Sequence, residues 1–149
     1  MEKVIGLLEQ VVAELKKTPA PAPVVKSTRF SILNDGWILD RVMGLEWGQT
    51  SKVEMNHEAA LKHCAELGGR LPTLKELQSL VDYTRHEPAI DNEVFKDTRC
   101  SWYWTSTPCA WNAGFAWCVG FGNGSVGHDH KDGVSYVRPV RASQCVLTV

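Results

Sequence analysis

Three prolines at alternate positions, Pro19, Pro21 and Pro23, divide the chain into two parts. Proline fixes its φ angle and lacks a backbone N–H, so a helix cannot continue here and the segment favours the extended polyproline II conformation. At about 3.1 Å per residue, the six residues from Thr18 onward span about 20 Å. We therefore expect a helix over residues 1–17, a Pro/Ala-rich linker over 18–27 and a globular domain over 28–149.

The segment before the prolines has the pattern of an amphipathic helix. Its apolar residues alternate in spacing between three and four positions, which is the a/d seam of a coiled coil; they include Val4, Leu8, Val11 and Leu15. An isolated helix of this length is marginal in water, so the apolar stripe needs a cover. We predict that these residues form a homo-oligomer, with a trimer favoured, or dock onto a virion component. The alternative is that the helix folds back onto its own domain.

The order of strand and helix patterns after the linker is typical of an α+β domain. Short strands precede two helices, strands resume afterwards, and no βαβ periodicity is present, so we expect antiparallel sheet. Asn123-Gly124 predicts a hairpin turn. The expected strands cover residues 28–33, 37–40, 43–47, 102–107, 115–121 and 134–140.

Both helices begin at recognisable capping residues. Asn56 is a good N-cap for the first, and Thr73 with Glu76 has the spacing of a capping box for the second. The apolar residues of each helix predict its buried face. These are Leu61, Cys64 and Leu67 in the first helix and Leu77, Leu80 and Val81 in the second.

Composition and charge exclude several classes of protein. The formal net charge is −1 and no Lys/Arg cluster is present, which argues against nucleic-acid binding. The apolar runs are too short for membrane insertion. The N-terminus lacks the pattern of a signal peptide, so we expect synthesis in a reducing host cytoplasm. Most of the five cysteines then act as small buried residues, although Cys109 and Cys118 have positions that permit pairing.

Motifs for catalysis and for metal binding are weak throughout the chain. Serine-hydrolase elbows, phosphate loops and H-E-x-x-H are absent from the sequence, and we expect no enzyme activity and no cofactor. Two alternatives stay open. One is a metal ion on His128 and His130, and the other is calcium on the acidic residues Asp91, Glu93 and Asp97.

Aromatic density is the most informative functional feature, because seven aromatic residues lie between positions 102 and 121. We assign Trp104, Trp117 and Phe121 to the core. Trp111 is flanked by small and polar residues between two strands, which favours outward presentation. Exposed tryptophans anchor interfaces and stack on sugars. The alternative is that Trp111 packs beneath its own loop.

An ordered series of motifs resembles one known domain family. The resemblance covers about residues 28–142 and is similar to the Lcl-type C-terminal domain, a bacterial and phage domain of unknown function found in collagen-like adhesins. The motifs are Gly44-Leu45-Glu46-Trp47, the run from Arg70 to Asp82, Pro88-Ala89-Ile90-Asp91, the run from Tyr103 to Thr107, and Val137-Arg138-Pro139-Val140-Arg141.

This resemblance implies a C-type lectin-like fold, related to the phage major tropism determinant and the formylglycine-generating enzymes, whose C-terminal loops display a ligand surface. It implies scaffold roles for Arg70, Leu71, Pro72, Trp104 and Arg138. The chain lacks the collagen-like stalk and secretion signal of the adhesins, which favours a phage virion protein. The candidate ligand-binding residues are Trp102, Trp111, Asn112, Asn123, His128, His130 and Lys131, with the last three in a loop.

We therefore expect a non-enzymatic binding protein that is displayed as an oligomer and binds a cell-surface glycan or protein. Two alternatives stay open: a structural decoration protein of a phage capsid or tail, and an intracellular protein-binding inhibitor.

Overall fold

A computed structural model describes residues 28–143 of the chain. The predicted N-terminal helix with its oligomerisation residues, the linker and the last six residues lie outside the described part. Within residues 28–143, no helix is long and apolar enough to cross a bilayer.

The described part has an α+β architecture with two antiparallel sheets and two short helices. This confirms the predicted fold class at that level. The elements in chain order are β1 (Phe30–Ile32), β2 (Ile38–Asp40), β3 (Leu45–Trp47), α1 (His57–Glu66), α2 (Leu74–Gln78), β4 (Trp102–Cys109), β5 (Asn112–Gly120), β6 (Val126–His130) and β7 (Val140–Ala142).

The first sheet joins the two ends of the described chain. Its strand order is β1-β2-β3-β7, so the last strand returns to pair with the third. The second sheet has the order β4-β5-β6 and is made of two consecutive hairpins. Apolar residues of both sheets and of α2 form one core cluster, whose fully buried members include Trp47, Leu77, Phe95, Tyr103 and Phe121.

A second core cluster lies between α1 and the second sheet. It contains Ala60 and Cys64 of α1 together with Trp104 and Cys118 of the sheet. The Trp104 indole N–H donates to the Met55 carbonyl at 2.8 Å, so its one polar atom is satisfied although the side chain is fully buried. This cluster fixes α1 against the back of the sheet that carries the candidate site.

Both predicted helix starts are confirmed. The Asn56 side chain accepts a hydrogen bond from Ala59 N at 2.8 Å. Thr73 and Glu76 form the reciprocal bonds of a capping box, at 3.2 Å and 2.8 Å. These contacts span three residues, which is why the sequence alone identifies them.

The predicted buried face of α1 is correct for Cys64 and wrong for the two leucines. Leu61 and Leu67 are 46% and 48% exposed, and the helix buries His57 and Ala60 beside Cys64. Ala60 is small, so the helix can lie close to the large Trp104 ring, and the leucines fall at the edge of the contact. Leu77 of α2 is buried, as are Leu80 and in part Val81, which the sequence assigned to the same helix but which lie just beyond its end.

Two strand predictions also need correction. The predicted loop over 128–132 is wrong for 128–130, which belong to the edge strand β6 (Val126–His130), and right for 131 and 132, which form a turn after it. Residues 134–140 are not one strand: Ser135 and Tyr136 make isolated bridges, and β7 begins at Val140, directly after Pro139. Proline cannot donate to a ladder, which accounts for the interruption.

Candidate functional site: an aromatic cluster on the second sheet

The second sheet carries a group of aromatic rings on one of its faces. Alternate residues of a strand share a face, so Phe115 and Trp117 of β5 point the same way. The antiparallel register places His130 opposite Phe115 and His128 opposite Trp117. Trp111 lies in the two-residue turn between β4 and β5 and contacts the same face. We call these five residues the aromatic cluster.

Edge-to-face contacts connect the rings of the aromatic cluster. The Trp111 ring centroid lies 5.5 Å from that of Trp117 and 5.1 Å from that of His128. The Phe115 and His130 centroids are 5.2 Å apart. Such pairs contribute about 0.5–1.5 kcal/mol beyond area burial. They hold Trp111 in place although 61% of its surface is exposed. The aromatic cluster is therefore a preformed apolar surface that also offers two imidazoles for hydrogen bonding.

Three of the seven predicted binding residues belong to the aromatic cluster, and two more flank it. Asn112 opens β5, and its side-chain oxygen accepts a hydrogen bond from Gly114 N at 2.8 Å. Lys131 follows β6; its N–H donates to the Gly114 carbonyl at 2.9 Å, and its own carbonyl accepts from His57 N at 3.1 Å. These bonds fix the backbone at the open end of the β5–β6 pair, where β5 begins and β6 ends.

The other two predicted residues, Trp102 and Asn123, lie elsewhere. Trp102 pairs with Gly120, which places it on the face of the sheet opposite Trp117. Asn123 lies in the turn between β5 and β6, where its side-chain oxygen accepts from Ser125 N at 3.0 Å. The structure therefore does not join these two residues to the aromatic cluster.

Two members of the aromatic cluster were not predicted as binding residues. Trp117 was assigned to the core, yet it is only partly buried, whereas Trp104 and Phe121 are fully buried as expected. Phe115 was given no binding role. The alternation of aromatic residues at 115 and 117 was visible in the sequence, but the exposure of their face depends on what the rest of the fold leaves uncovered.

A basic hollow of about 470 Å³ is a second feature that the sequence did not reveal. Lys52, Lys96 and Arg99 line it together with Arg138. Arg138 is fully buried and donates to Asp97 Oδ1 at 2.8 Å, in keeping with the scaffold role expected for it. The four cations come from distant parts of the chain, so no Lys/Arg cluster was apparent in the sequence.

The thiols of the second core cluster are poorly suited to nucleophilic chemistry. Cys64, Cys109 and Cys118 are buried, Cys100 is exposed, and all four are free. Burial raises the pKa of both Cys64 and Cys118 to about 12, which disfavours the reactive thiolate. This agrees with the expectation that most cysteines act as small buried residues.

The two metal-binding alternatives gain no support from the geometry. Between residues 28 and 143, no three His, Cys, Asp or Glu side chains are grouped so as to hold a metal ion. His128 and His130 share a face of β6, but Asp129 points to the other face. Asp97, one of the suggested calcium ligands, instead pairs with Arg138 and accepts from Thr50 N.

Comparison with known protein families finds a match to the model of the Lcl C-terminal domain over residues 36–141. The chain belongs to the Lcl C-terminal domain family. This confirms the resemblance found in the sequence. A comparison with curated proteins finds no match. The aromatic cluster lies inside the segment that matches the Lcl C-terminal domain, as do the four cations of the basic hollow.

Proposed function

We propose that this member of the Lcl C-terminal domain family is a non-enzymatic binding module that recognises a cell-surface glycan or protein through the aromatic cluster. The observation that carries the proposal is Trp111. It is 61% exposed, yet it is held against two other rings of the cluster. An indole exposed to this extent and fixed in position is typical of a residue that anchors a ligand.

The surroundings of Trp111 match what recognition requires. Phe115 and Trp117 supply further apolar area, and His128 and His130 provide ring nitrogens that donate or accept hydrogen bonds. Because the cluster is already ordered by contacts within the chain, binding costs little additional side-chain entropy.

The assembly that we propose combines this head with the segments before it. The C-type lectin-like fold implied by the resemblance would present the second sheet outward. The N-terminal helix would join copies of the chain or attach them to a virion, and the proline-rich linker would separate helix and head. Multivalent display compensates for weak individual contacts through a high effective concentration.

The test is a glycan array, read beside native mass spectrometry, with the full chain and the variant W111A. We expect the wild type to bind and W111A to bind at least about tenfold more weakly, since truncation of an aromatic anchor typically costs more than about 1.4 kcal/mol. Tyr83 is 69% exposed and lies outside the aromatic cluster, so Y83A is the matched control and should bind as the wild type does.

Thermal unfolding of the same variants separates binding from folding. Because Trp111 is largely exposed, its removal should change the melting temperature by only a few degrees. A steep loss of stability would assign Trp111 to the core instead. Equal binding by W111A and the wild type would exclude the aromatic cluster as the site.

A further inference from the structure

The Trp102 side chain packs against two glycines on the other face of the second sheet. Its indole extends from β4 over Gly120 of β5 toward Gly127 of β6. A Cβ atom at Gly127 would be only 3.0 Å from two ring carbons of Trp102, which is tighter than most Cβ contacts in proteins. Glycine at this position therefore allows the indole to lie down on the sheet.

One face of the indole covers Gly120. From the position that a Cβ would take at Gly120, the ring atoms Cε3, Cζ3 and Cη2 of Trp102 lie at 3.2, 3.2 and 3.4 Å. These three ring atoms are adjacent and nearly equidistant from the Cβ position of Gly120. That position therefore lies above the plane of the indole ring and not beside the edge of the ring. Since Trp102 is still 44% exposed, its opposite face and its rim are what contact solvent.

Two hollows meet at this indole. The first has a volume of about 400 Å³ and is also lined by His86, Glu87 and Asn123. The second, of about 240 Å³, is also lined by Asp129. An exposed apolar ring surrounded by a few polar groups is typical of a binding site for a small ligand.

The polar rim is held in position by the backbone. Glu87 has a φ angle of 49°, which is uncommon for a residue with a side chain, and its N–H donates to the Gly122 carbonyl at 2.7 Å. The Asn123 side-chain oxygen accepts from Ser125, which leaves the amide nitrogen as the donor that this side chain can offer a ligand. Acceptor and donor are thus both available beside the exposed indole.

The charges of the residues that line the two hollows restrict which ligands can bind at Trp102. Glu87 and Asp129 contribute carboxylates, and in the part of the chain that the structure describes neither hollow has a lysine or arginine in its lining. A sulfate, phosphate or carboxylate on the ligand would meet like charge without a compensating cation. The site therefore favours an uncharged ligand, in contrast to the basic hollow around Arg138.

We propose that Trp102 is the stacking platform of a second binding site, which takes the pyranose ring of an uncharged hexose. In a β-glucopyranose all substituents are equatorial, so each ring face presents only C–H groups. One such face packs on the indole, and hydroxyls at the ring edge exchange hydrogen bonds with Glu87 and Asn123. This inference rests on the proposed function, because the Trp102 site and the aromatic cluster would both recognise a surface ligand. The two sites lie on different faces of the second sheet.

The experiment is an NMR titration of the ¹⁵N-labelled full chain with methyl β-D-glucopyranoside, followed at the tryptophan indole N–H signals. Comparison with W102F assigns the Trp102 signal. We expect this signal to shift on titration and W102A to weaken binding at least about tenfold. W102F keeps an aromatic face and should retain most of the affinity. V42A should bind this sugar as the wild type does, since Val42 is 70% exposed in the turn between β2 and β3 and lines neither hollow.

Charge selectivity provides the second readout. Methyl β-D-glucuronide has the same ring with a carboxylate at C6, and we expect it to bind more weakly than the glucoside. Glu87→Gln removes one repelling charge and should narrow that difference. Equal affinity of W102A and the wild type, tighter binding of the glucuronide, or the absence of any Trp102 shift would each overturn the Trp102 site. A shift of the Trp111 signal alone would also overturn it, while leaving the proposed function intact.

Discussion

Asp40 is a fully buried carboxylate that accepts five hydrogen bonds at the end of β2. Arg29 donates two of them at 2.9 Å, and the Trp47 indole donates one at 3.1 Å. The backbone N–H groups of Val42 and Met43 donate the others, at 3.1 Å and 3.2 Å. Burial alone would raise the pKa of Asp40, but the hydrogen bonds from Arg29 and Trp47 lower it overall. The charged form therefore ties three segments of the first sheet together.

Removal of this carboxylate should destabilise the domain. We expect D40A to lower the free energy of unfolding by about 3 kcal/mol, because the buried donors lose their acceptor. Asp35 pairs with Arg141 at 2.7 Å but is half exposed, so D35A is a matched control that should destabilise the domain much less than D40A does. Urea unfolding at pH 7 measures both. Equal losses in the two variants would contradict the central role of Asp40.

The pH dependence of the same carboxylate has a definite sign. Its pKa in the folded state lies below the ordinary value of 3.8, so its contribution is present above pH 3.8 and is lost as the pH falls through the folded-state pKa. The stability difference between the wild type and D40N should therefore narrow on acidification below pH 3.8. A difference that stays constant to lower pH would show that Asp40 stabilises the fold without its charge.

Helix α1 is connected to the second sheet through His57. The His57 Nε2–H donates to the Thr105 carbonyl at 2.9 Å, and its ring meets Trp104 edge to face at 5.1 Å. Its backbone N–H donates to the Lys131 carbonyl at the end of β6. One residue of the helix thus contacts both edge strands of the sheet that carries the aromatic cluster.

Acid should weaken this connection. Burial lowers the pKa of His57, and Lys131 lowers it further, while the hydrogen bond to Thr105 opposes the change. Because the folded-state pKa lies below 6.5, this residue's contribution is fully present above pH 6.5 and is lost as the pH falls through the folded-state pKa. Urea unfolding at pH 7.5 and 5.5 should show a smaller acid-induced loss in H57Q than in the wild type. The partly exposed His63 supplies the control H63Q, which should keep the wild-type loss.

Elements were predictable where their determinants are local. The caps at Asn56 and Thr73 depend on contacts three residues away, and the sequence identified both. The buried face of α1 depends on the shape of Trp104, about 40 residues away in sequence, and the sequence identified only Cys64 of it. Strand β6 reads Val-Gly-His-Asp-His, which lacks an apolar alternation because it is an edge strand with mainly exposed side chains. Its pairing with β5, and hence most of the aromatic cluster, required the tertiary structure.

The two ends of the described chain leave the molecule at the same end of the first sheet. Phe30 of β1 pairs with Asp40, Leu45 of β3 pairs with Ala142 of β7, and a turn joins Asp40 to Leu45. The aromatic cluster belongs to the other sheet, so the strands at which the described chain begins and ends do not carry it. This arrangement is compatible with the proposed display of the globular domain on an oligomer of the N-terminal helix.

The last prediction concerns the predicted N-terminal helix over residues 1–17. If Val4, Leu8, Val11 and Leu15 form a coiled-coil seam, the full chain should associate in a concentration-dependent manner in analytical ultracentrifugation, and Leu8→Glu should shift it toward monomer. On an array of immobilised ligand, the monomeric variant should lose affinity by about 10²–10⁴-fold, because avidity depends on effective concentration, while its affinity for a monovalent ligand stays unchanged. Lys3→Glu, on the polar face of the predicted helix, is the control and should leave both properties intact. A full chain that stays monomeric at high micromolar concentration would remove multivalent display and leave the aromatic cluster to act as a single site.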